Sequence, residues 1–295
     1  MLNEAPAVMP KQEDRSLALQ ELTDGEFARL SEFVYGRIGI TLPSAKKTML
    51  QARLQKRLRV LEMKNFREYV AFLFSPEGAE REMGEFINAV TTNTTDFFRE
   101  PHHFEYLAST ALPMLERSRL LRQDRVRVWS AACSSGQEPY TLAMLLADYA
   151  EDRPHLSWSV LGTDISTRVL EKAVKGVYRQ EDAEPIPMEY KKKYLLKSKD
   201  PSKALVKIVP QLRESVEFRR LNLMDESYGI EDRFEVIFCR NVIIYFDKPT
   251  QAALLRHLVN YLVPGGYLFL GHSETLSGIP LPVDTVAATI YRKRG

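Results

Sequence analysis

Four β-rich runs in the sequence end in small or polar residues, and such ends can together build a ligand pocket. The first, Val126-Arg-Val-Trp-Ser-Ala-Ala, runs into Cys133-Ser-Ser-Gly136-Gln-Glu138-Pro139-Tyr140 and then a helical stretch. Small residues at that point let backbone amides approach a ligand closely at the start of a helix, where nucleotide-type cofactors bind. Only Gly136 stands where a dinucleotide fingerprint would show three glycines, so an ordinary strand-to-helix turn is the competing reading. The second run ends in Gly162-Thr163-Asp164. An acid at the tip of that strand can accept hydrogen bonds from ribose hydroxyls, or cap the helix that begins near Ser166. The third and fourth end in Asn222-Leu223 and in Arg240-Asn241-Val242, followed by Ile243-Ile244-Tyr245-Phe246. Asparagine at a strand exit can read an adenine edge, and it is also a common turn residue. Together the four ends point to one shared pocket.

Other chemistries find little support. Gly271-His-Ser273-Glu-Thr275 has the start of a nucleophile elbow, but the closing glycine is absent and no acid–histidine pair is evident. The five histidines, at 102, 103, 155, 257 and 272, show no metal-ligand spacing, and two cysteines, Cys133 and Cys239, are too few for a structural zinc site. No metal is expected.

The elements that must position the pocket follow from periodicity. Thr23 with Glu26 fits a capping box, and Phe27, Leu30, Phe33 and Val34 recur at helical spacing. Further helical stretches are expected at about 44–64, 66–74 and 77–90, so residues 21–90 read as a small helical domain after a polar tail, 1–20. From residue 126 onward, β-rich runs alternate with helical ones: 126–131, helix 139–149, 158–162, helix 167–175, 216–222, 234–239, helix 250–262, 267–271 and 286–291. That alternation predicts an α/β fold with a mainly parallel sheet covered on both faces, its ligand at the carboxyl ends of the strands. Residues 178–215 break the pattern with four prolines and read as an insertion, a small antiparallel subdomain.

Composition bounds the partners. The 295 residues carry 41 Lys and Arg against 39 Asp and Glu, so no global field draws the chain to nucleic acid or a membrane, and any cationic docking surface is local. No apolar run approaches the roughly 20 residues of a membrane span, and the N-terminus has no secretory pattern, so a cytoplasmic protein is expected, by default a monomer. One local surface stands out: Ser44 to Arg67 holds eight Lys or Arg and a single acid, Glu62. On one continuous helix Lys46, Arg53, Arg57 and Lys64 fall on nearly one line, beside a stripe of Leu50, Leu54, Leu58 and Leu61. Such a face is either a solvated one or a guide for an acidic partner helix. It lacks the interleaved aromatics that stack on RNA bases.

The strings Thr91-Thr-Asn-Thr-Thr-Asp-Phe-Phe-Arg99-Glu-Pro-His-His-Phe, Trp129-Ser-Ala-Ala-Cys-Ser-Ser-Gly-Gln-Glu-Pro-Tyr, Cys239-Arg-Asn-Val-Ile-Ile-Tyr-Phe and Gly271-His-Ser-Glu resemble those of the chemotaxis receptor methyltransferase family, CheR. The resemblance spans roughly residues 21–295. It implies a Rossmann-like methyltransferase domain (91–295) preceded by an all-helical substrate-recognition domain (21–90) and carrying a small β-subdomain. It also implies methyl transfer from S-adenosylmethionine to glutamate side chains of the cytoplasmic domain of membrane chemoreceptors, leaving S-adenosylhomocysteine. Matched by motif, Asn93, Thr95 and Arg99 contact the cofactor or close over it, Glu138 sits by the methionine amino group and Asp164 holds the ribose. Asn222 and Leu223 frame the adenine, and Asn241 and Val242 line the pocket beside the methyl. Arg99 and Tyr245 are the expected catalytic residues, and Lys46, Arg53, Arg57 and Lys64 the expected substrate-binding ones. Cys133 and Gln137 stand where relatives often differ. The loop Lys197-Ser-Lys-Asp-Pro lacks the glycines expected of members that dock a receptor's C-terminal pentapeptide.

A carboxylate acceptor is already ionised at neutral pH and a sulfonium is already electrophilic, so such a reaction needs alignment and exclusion of water more than a general base. Rival readings are a methyltransferase acting on RNA or a small molecule, and a non-catalytic module that binds the same cofactor and signals by contact.

Overall fold

A computed structural model describes residues 21–118 and 124–295. The tail expected at 1–20 lies outside the described residues. Five helices open the described residues: α1 (Asp24–Ile38), α2 (Lys47–Val60), α3 (Phe66–Leu73), α4 (Pro76–Arg81) and α5 (Met83–Val90). The capping box is present as expected: the Thr23 side chain accepts from Glu26 N, and the Glu26 carboxylate accepts from Thr23 N at 2.9 Å. Leu30, Val34, Leu50, Leu54, Phe66, Tyr69, Leu73 and Phe86 bury together as a core of their own.

Two expectations here need correction. The helix expected over 44–64 is a single 3-10 turn, Ser44–Lys46, followed by α2, which stops at Val60; Lys64 lies beyond it, in the turn before α3. The stretch expected over 77–90 is two helices broken at Glu82, whose side chain turns inward, 1% exposed. A longer element went unexpected. Helix α6 (Pro101–Tyr106), a π-helical turn (Leu107–Ala111) and α7 (Leu112–Arg117) form one continuous rod. Pro113, at the start of α7, has no N–H to bond a carbonyl one turn back, the kind of interruption that obscures helical signal.

The rest is an α/β layer built on β1 (Arg125–Ala131), α8 (Gln137–Glu151), β2 (Ser157–Asp164) and α9 (Thr167–Lys175), then, after the insertion, β6 (Val216–Arg220), β7 (Phe234–Cys239), α12 (Lys248–Tyr261), β8 (Leu262–Leu270), β9 (Val283–Ala287) and β10 (Ile290–Lys293). The sheet order is β6-β2-β1-β7-β8-β10-β9, parallel from β6 to β8, with β10 antiparallel to both its neighbours. The run expected at 286–291 is therefore a hairpin of two strands. Its two-residue turn, Ala288-Thr289, holds Thr289 at φ 56° without the Gly or Asn that usually marks such a turn.

Alternate residues of each strand feed opposite faces. Val126, Val128, Val160, Val236, Phe238 and Phe269 pack under α8 and the α6–α7 rod, while Trp129, Leu161, Ile237, Leu268 and Leu270 pack under α12. The insertion is an antiparallel sheet, ordered β3-β5-β4, of β3 (Val177–Arg179), β4 (Leu195–Lys197) and β5 (Leu205–Ile208), with α10 (Met188–Tyr194) beside it; α11 (Pro210–Glu214) returns the chain to β6. Among the described residues no helix is long and apolar enough to cross a membrane.

From β1 the chain builds β2 and β6 to one side, then crosses back to build β7 and β8 on the other. Strand order therefore reverses between β1 and β7, which opens a crevice above their carboxyl ends. The helical domain caps that crevice: Thr41 N donates to Tyr245 O at 2.8 Å, the Tyr35 hydroxyl to Asp247 at 2.7 Å and the Asn222 amide to Arg37 O at 2.9 Å.

Candidate active site

The crevice at the reversal is lined by Asn93, Thr95, Arg99, Glu138, Asp164, Asn222, Leu223, Asn241, Val242 and Tyr245, and Lys46 reaches it from the helical domain. Ten residues spread over 153 positions of sequence thus share one cavity with Ile38, Ile40, Leu42, Ile165 and Leu221 as apolar wall.

On its β1 side the chain turns sharply. Ala132 at φ 59°, Ser134 at φ 50° and Gly136 at φ 93° place alternate residues in the left-handed region. Gly136 is required there: a Cβ would stand 2.8 Å from Ala173 Cβ and 2.9 Å from the Tyr178 hydroxyl. The turn brings Ala132, Cys133 and Ser134, and Glu138 from the first turn of α8, to the wall of the crevice. Asp164, at the tip of β2 and 7% exposed, accepts from Ser134 N at 2.8 Å on one oxygen and from Ser166 N at 2.9 Å on the other. Helix α9 is instead capped by Ser166, whose hydroxyl accepts from Val169 N, so the capping alternative for Asp164 gives way to a carboxylate shared between two loops. Burial pushes its carboxyl above the usual range, against the backbone N–H groups that favour the ion.

Glu138, in the first turn of α8, is held at both oxygens, by the Ser130 hydroxyl at 2.6 Å and by Arg240 Nε at 2.7 Å. Arg240, 6% exposed, is the hub that sequence reading passed over. Its Nη1 donates to Arg99 O at 2.8 Å, to His103 Nδ1 at 3.0 Å and to Glu100 at 3.3 Å, while its guanidinium lies 5.1 Å from the Phe104 ring centroid. His103 Nδ1 is therefore an acceptor, and Nε2–H donates to the Thr289 hydroxyl at 2.9 Å. Burial first, then the Arg240 charge, push His103 down to about 3, so it is neutral. Glu100 sits at φ 58°. Burial pushes its carboxyl up, but Arg240 and hydrogen bonds from Asn241 and His272 outweigh it and hold it below the usual value. A signal existed for Arg240: it directly precedes Asn241 at the strand exit, where a buried arginine needs an acidic partner.

Arg99 is placed differently. Its Nη1 donates to Thr94 O at 3.1 Å, and it makes no ion pair among the described residues, neither with Glu100 beside it nor with Glu105. Tyr245 is half-buried, its ring 4.9 Å from Lys46 Nζ. Asn93 donates through its side-chain amide to the Thr91 hydroxyl at 3.3 Å, and its main-chain carbonyl accepts from the Ser134 hydroxyl at 2.8 Å, tying the inter-domain segment to the β1 turn.

The cationic face is corrected more deeply. Arg53 Nη1 donates to the carbonyls of Ala89, Val90 and Thr91 at 3.0, 3.1 and 2.9 Å, satisfying the C-terminal end of α5. Arg57 grips Glu82 with two bonds, at 2.8 and 2.6 Å, and approaches Glu85 at 3.6 Å. Both guanidiniums lie between α2 and α5, because the spacing that aligns them with Leu50 and Leu54 also turns them toward the domain core. Exposed cations nearby are Lys56, Arg59, Lys64 and Arg67.

The residues fit S-adenosylmethionine. Asp164 keeps free lone pairs beside a backbone-lined turn, Leu223, Ile165 and Val242 supply apolar wall, and Arg99 offers a guanidinium with no carboxylate partner in the described structure. Residues 93–292 match the profile described as CheR methyltransferase, SAM binding domain, and residues 25–91 match CheR methyltransferase, all-alpha domain. A chemotaxis protein methyltransferase of Klebsiella aerogenes is 44% identical over 92% of this chain and 90% of its own. Those of Salmonella typhimurium and Escherichia coli are 40% and 41% identical, over 92% of this chain and 90% and 91% of theirs. With one profile on the helical domain, the other on the sheet whose crevice they share, and these identities along nearly the whole length, the chain belongs to the CheR methyltransferase family.

Proposed function

We propose that the chain methylates glutamate side chains of the cytoplasmic domains of membrane chemoreceptors, acting as a monomer in the cytoplasm. The observation that carries this reading is the single crevice in which Asp164, Glu138, Asn241, Arg99 and Tyr245 converge under a cationic cap. S-adenosylmethionine supplies the electrophilic methyl group. In this reading Asp164 accepts from the ribose hydroxyls, Asn222 and Leu223 frame the adenine and Glu138 faces the amino group. Asn93, Thr95 and Arg99 close over the carboxylate end, and Asn241 and Val242 flank the methyl. The Asn222 amide is already bonded to Arg37 O, so it contributes as a wall that the helical domain holds in place.

Arg99 and Tyr245 orient the incoming carboxylate, and Lys46 beside the Tyr245 ring draws it in. Positioning of this kind supplies several kcal/mol of barrier lowering without a general base. The acceptor loses charge as its oxygen bonds to carbon, so strong pairing would hold back the reaction, and a partly solvated Arg99 suits the task. Acidic receptor helices are guided by Lys56, Arg59 and Lys64, in place of Arg53 and Arg57, whose guanidiniums face α5.

The test is incubation with methyl-labelled S-adenosylmethionine and receptor-containing membranes. A glutamyl ester releases volatile methanol in mild base, whereas N-methyl or ring-methyl products keep their label. Label that stays involatile on several receptors sinks the proposal in favour of another acceptor.

A further inference from the structure

The turn Gly271-His272-Ser273-Glu274 follows β8, and the crevice described above leaves its buried acid without a task. Glu274 is 2% exposed and makes no ion pair among the described residues. One carboxylate oxygen accepts from Asn241 N at 2.9 Å and Gly271 N at 2.7 Å, and the other from Ile243 N at 3.0 Å. The three donors partly offset the cost of burying a carboxylate that makes no ion pair.

The loop it organises is the strained one. Asn241 stands at φ 56°, two residues before the turn Ile243–Tyr245. Gly271 is matched to the same contact: a Cβ there would lie 2.6 Å from Asn241 Nδ2, 2.8 Å from Asn241 N and 2.7 Å from Glu274 itself. The turn also reaches the opposite wall, since His272 N donates to Glu100 at 3.1 Å and Glu100 in turn accepts from the Asn241 amide at 3.2 Å. One short segment therefore holds the residue after Arg99 and the residues just before Tyr245.

We infer that Glu274 is a positioning residue for methyl transfer: its carboxylate gathers the main-chain amides of Asn241 and Ile243 so that Tyr245 stands at a fixed place relative to Arg99. The inference rests on the methyl-transfer reading for its catalytic part. A glutamine has the same shape, but its one carbonyl cannot serve both sets of donors, so an NH2 must face an N–H and the loop must shift. Ser273, in the same turn, is exposed, with no side-chain hydrogen bond among the described residues, and has no part in this.

The experiment compares the wild type with Glu274→Gln, Gly271→Ala and Ser273→Ala. Active sites are counted by S-adenosylhomocysteine binding, and amide hydrogen exchange is followed along the chain. In Glu274→Gln, exchange over residues 240–246 should rise about tenfold or more while β1 and β2 stay native. Transfer per counted site should fall about 30-fold, with affinity for S-adenosylhomocysteine within about threefold. Gly271→Ala keeps the carboxylate but displaces the loop, and should repeat this pattern if Glu274→Gln does not fold. Ser273→Ala should be native throughout. Native exchange in the 240–246 segment, or native transfer per counted site, overturns the inference. So does a wild type whose Asn241 and Ile243 amides exchange as fast as free peptide. A wild type that transfers no label to any receptor removes the functional reading instead, and the exchange profile still decides whether Glu274 anchors the loop.

Discussion

Two regions of this protein are rich in arginine and acid, and they use them in opposite ways. At the strand tips, Arg240 lies between Glu138 and Glu100 with His103 beneath it; Arg240, Glu138 and His103 are buried and Glu100 is half-buried, and each is bonded at its polar ends. Along α2 the cations divide: Arg53 and Arg57 turn inward onto α5, and Lys56 and Arg59 remain in water. A guanidinium in the first region sets the shape of a pocket, and in the second it either closes a helix end or stays available to a partner. Burial decides which, because charge pairing is strong only where water is excluded.

The contrast is broken most directly by replacing Arg240 with Met. That leaves Glu138 and Glu100 facing each other without their shared cation, and the unfolding free energy in denaturant should drop by about 3–5 kcal/mol. A drop below about 1 kcal/mol would mean that the strand-tip network is no tighter than a surface cluster.

Acid sharpens the same comparison. His103 is neutral in the folded protein, pushed down to about 3, and takes up a proton on unfolding below about 6.5. Its contribution is complete above the ordinary histidine value and is lost as pH falls from there toward the folded value. Stability should therefore decline below pH 6.5 by up to about 1.4 kcal/mol per pH unit. Glu100 adds its own loss only lower, below its ordinary value of 4.5, because its folded carboxyl is held down. Denaturant titrations at pH 6.5 and 5 sample the histidine window, to which His257, also pushed down by burial, adds; His103→Gln should remove the His103 share of the slope between them.

On α2 the two classes of cation separate by what they damage. Arg53→Ala removes three charge-assisted bonds to the end of α5 and should cost about 1–3 kcal/mol of stability. The pair Lys56→Glu with Arg59→Glu should leave stability and cofactor affinity alone, raise the receptor KM a few-fold, and lose that effect as salt is raised. If the outward pair destabilises and Arg53 does not, the assignment of faces is reversed.

Much of the site was legible because its residues sit at strand ends. Asp164 ends an apolar run and Glu138 stands in the helix turn that follows one; a parallel sheet brings such ends to one edge, so their positions pointed to a common crevice, while the family resemblance gave Glu138 its part in it. Arg240 and Glu274 were not legible in that way. Each owes its role to partners far off in the chain, Arg240 to Glu138 and Glu100, Glu274 to the amides of the Asn241 loop. The cationic line on α2 shows the reverse failure. Helical spacing correctly grouped Arg53 with Arg57, but only the packing of α5 tells which side of α2 is water.

By itself, then, the order of residues determined the alternation of strand and helix, the helical cap before it, and the strand-tip positions that line the crevice, since periodicity and turn chemistry are local. Tertiary structure alone decided which charges are paired. Whether a carboxylate meets an arginine, a backbone amide or solvent depends on burial and on segments more than a hundred residues apart, as between Glu138 and Arg240, and no local pattern encodes that distance.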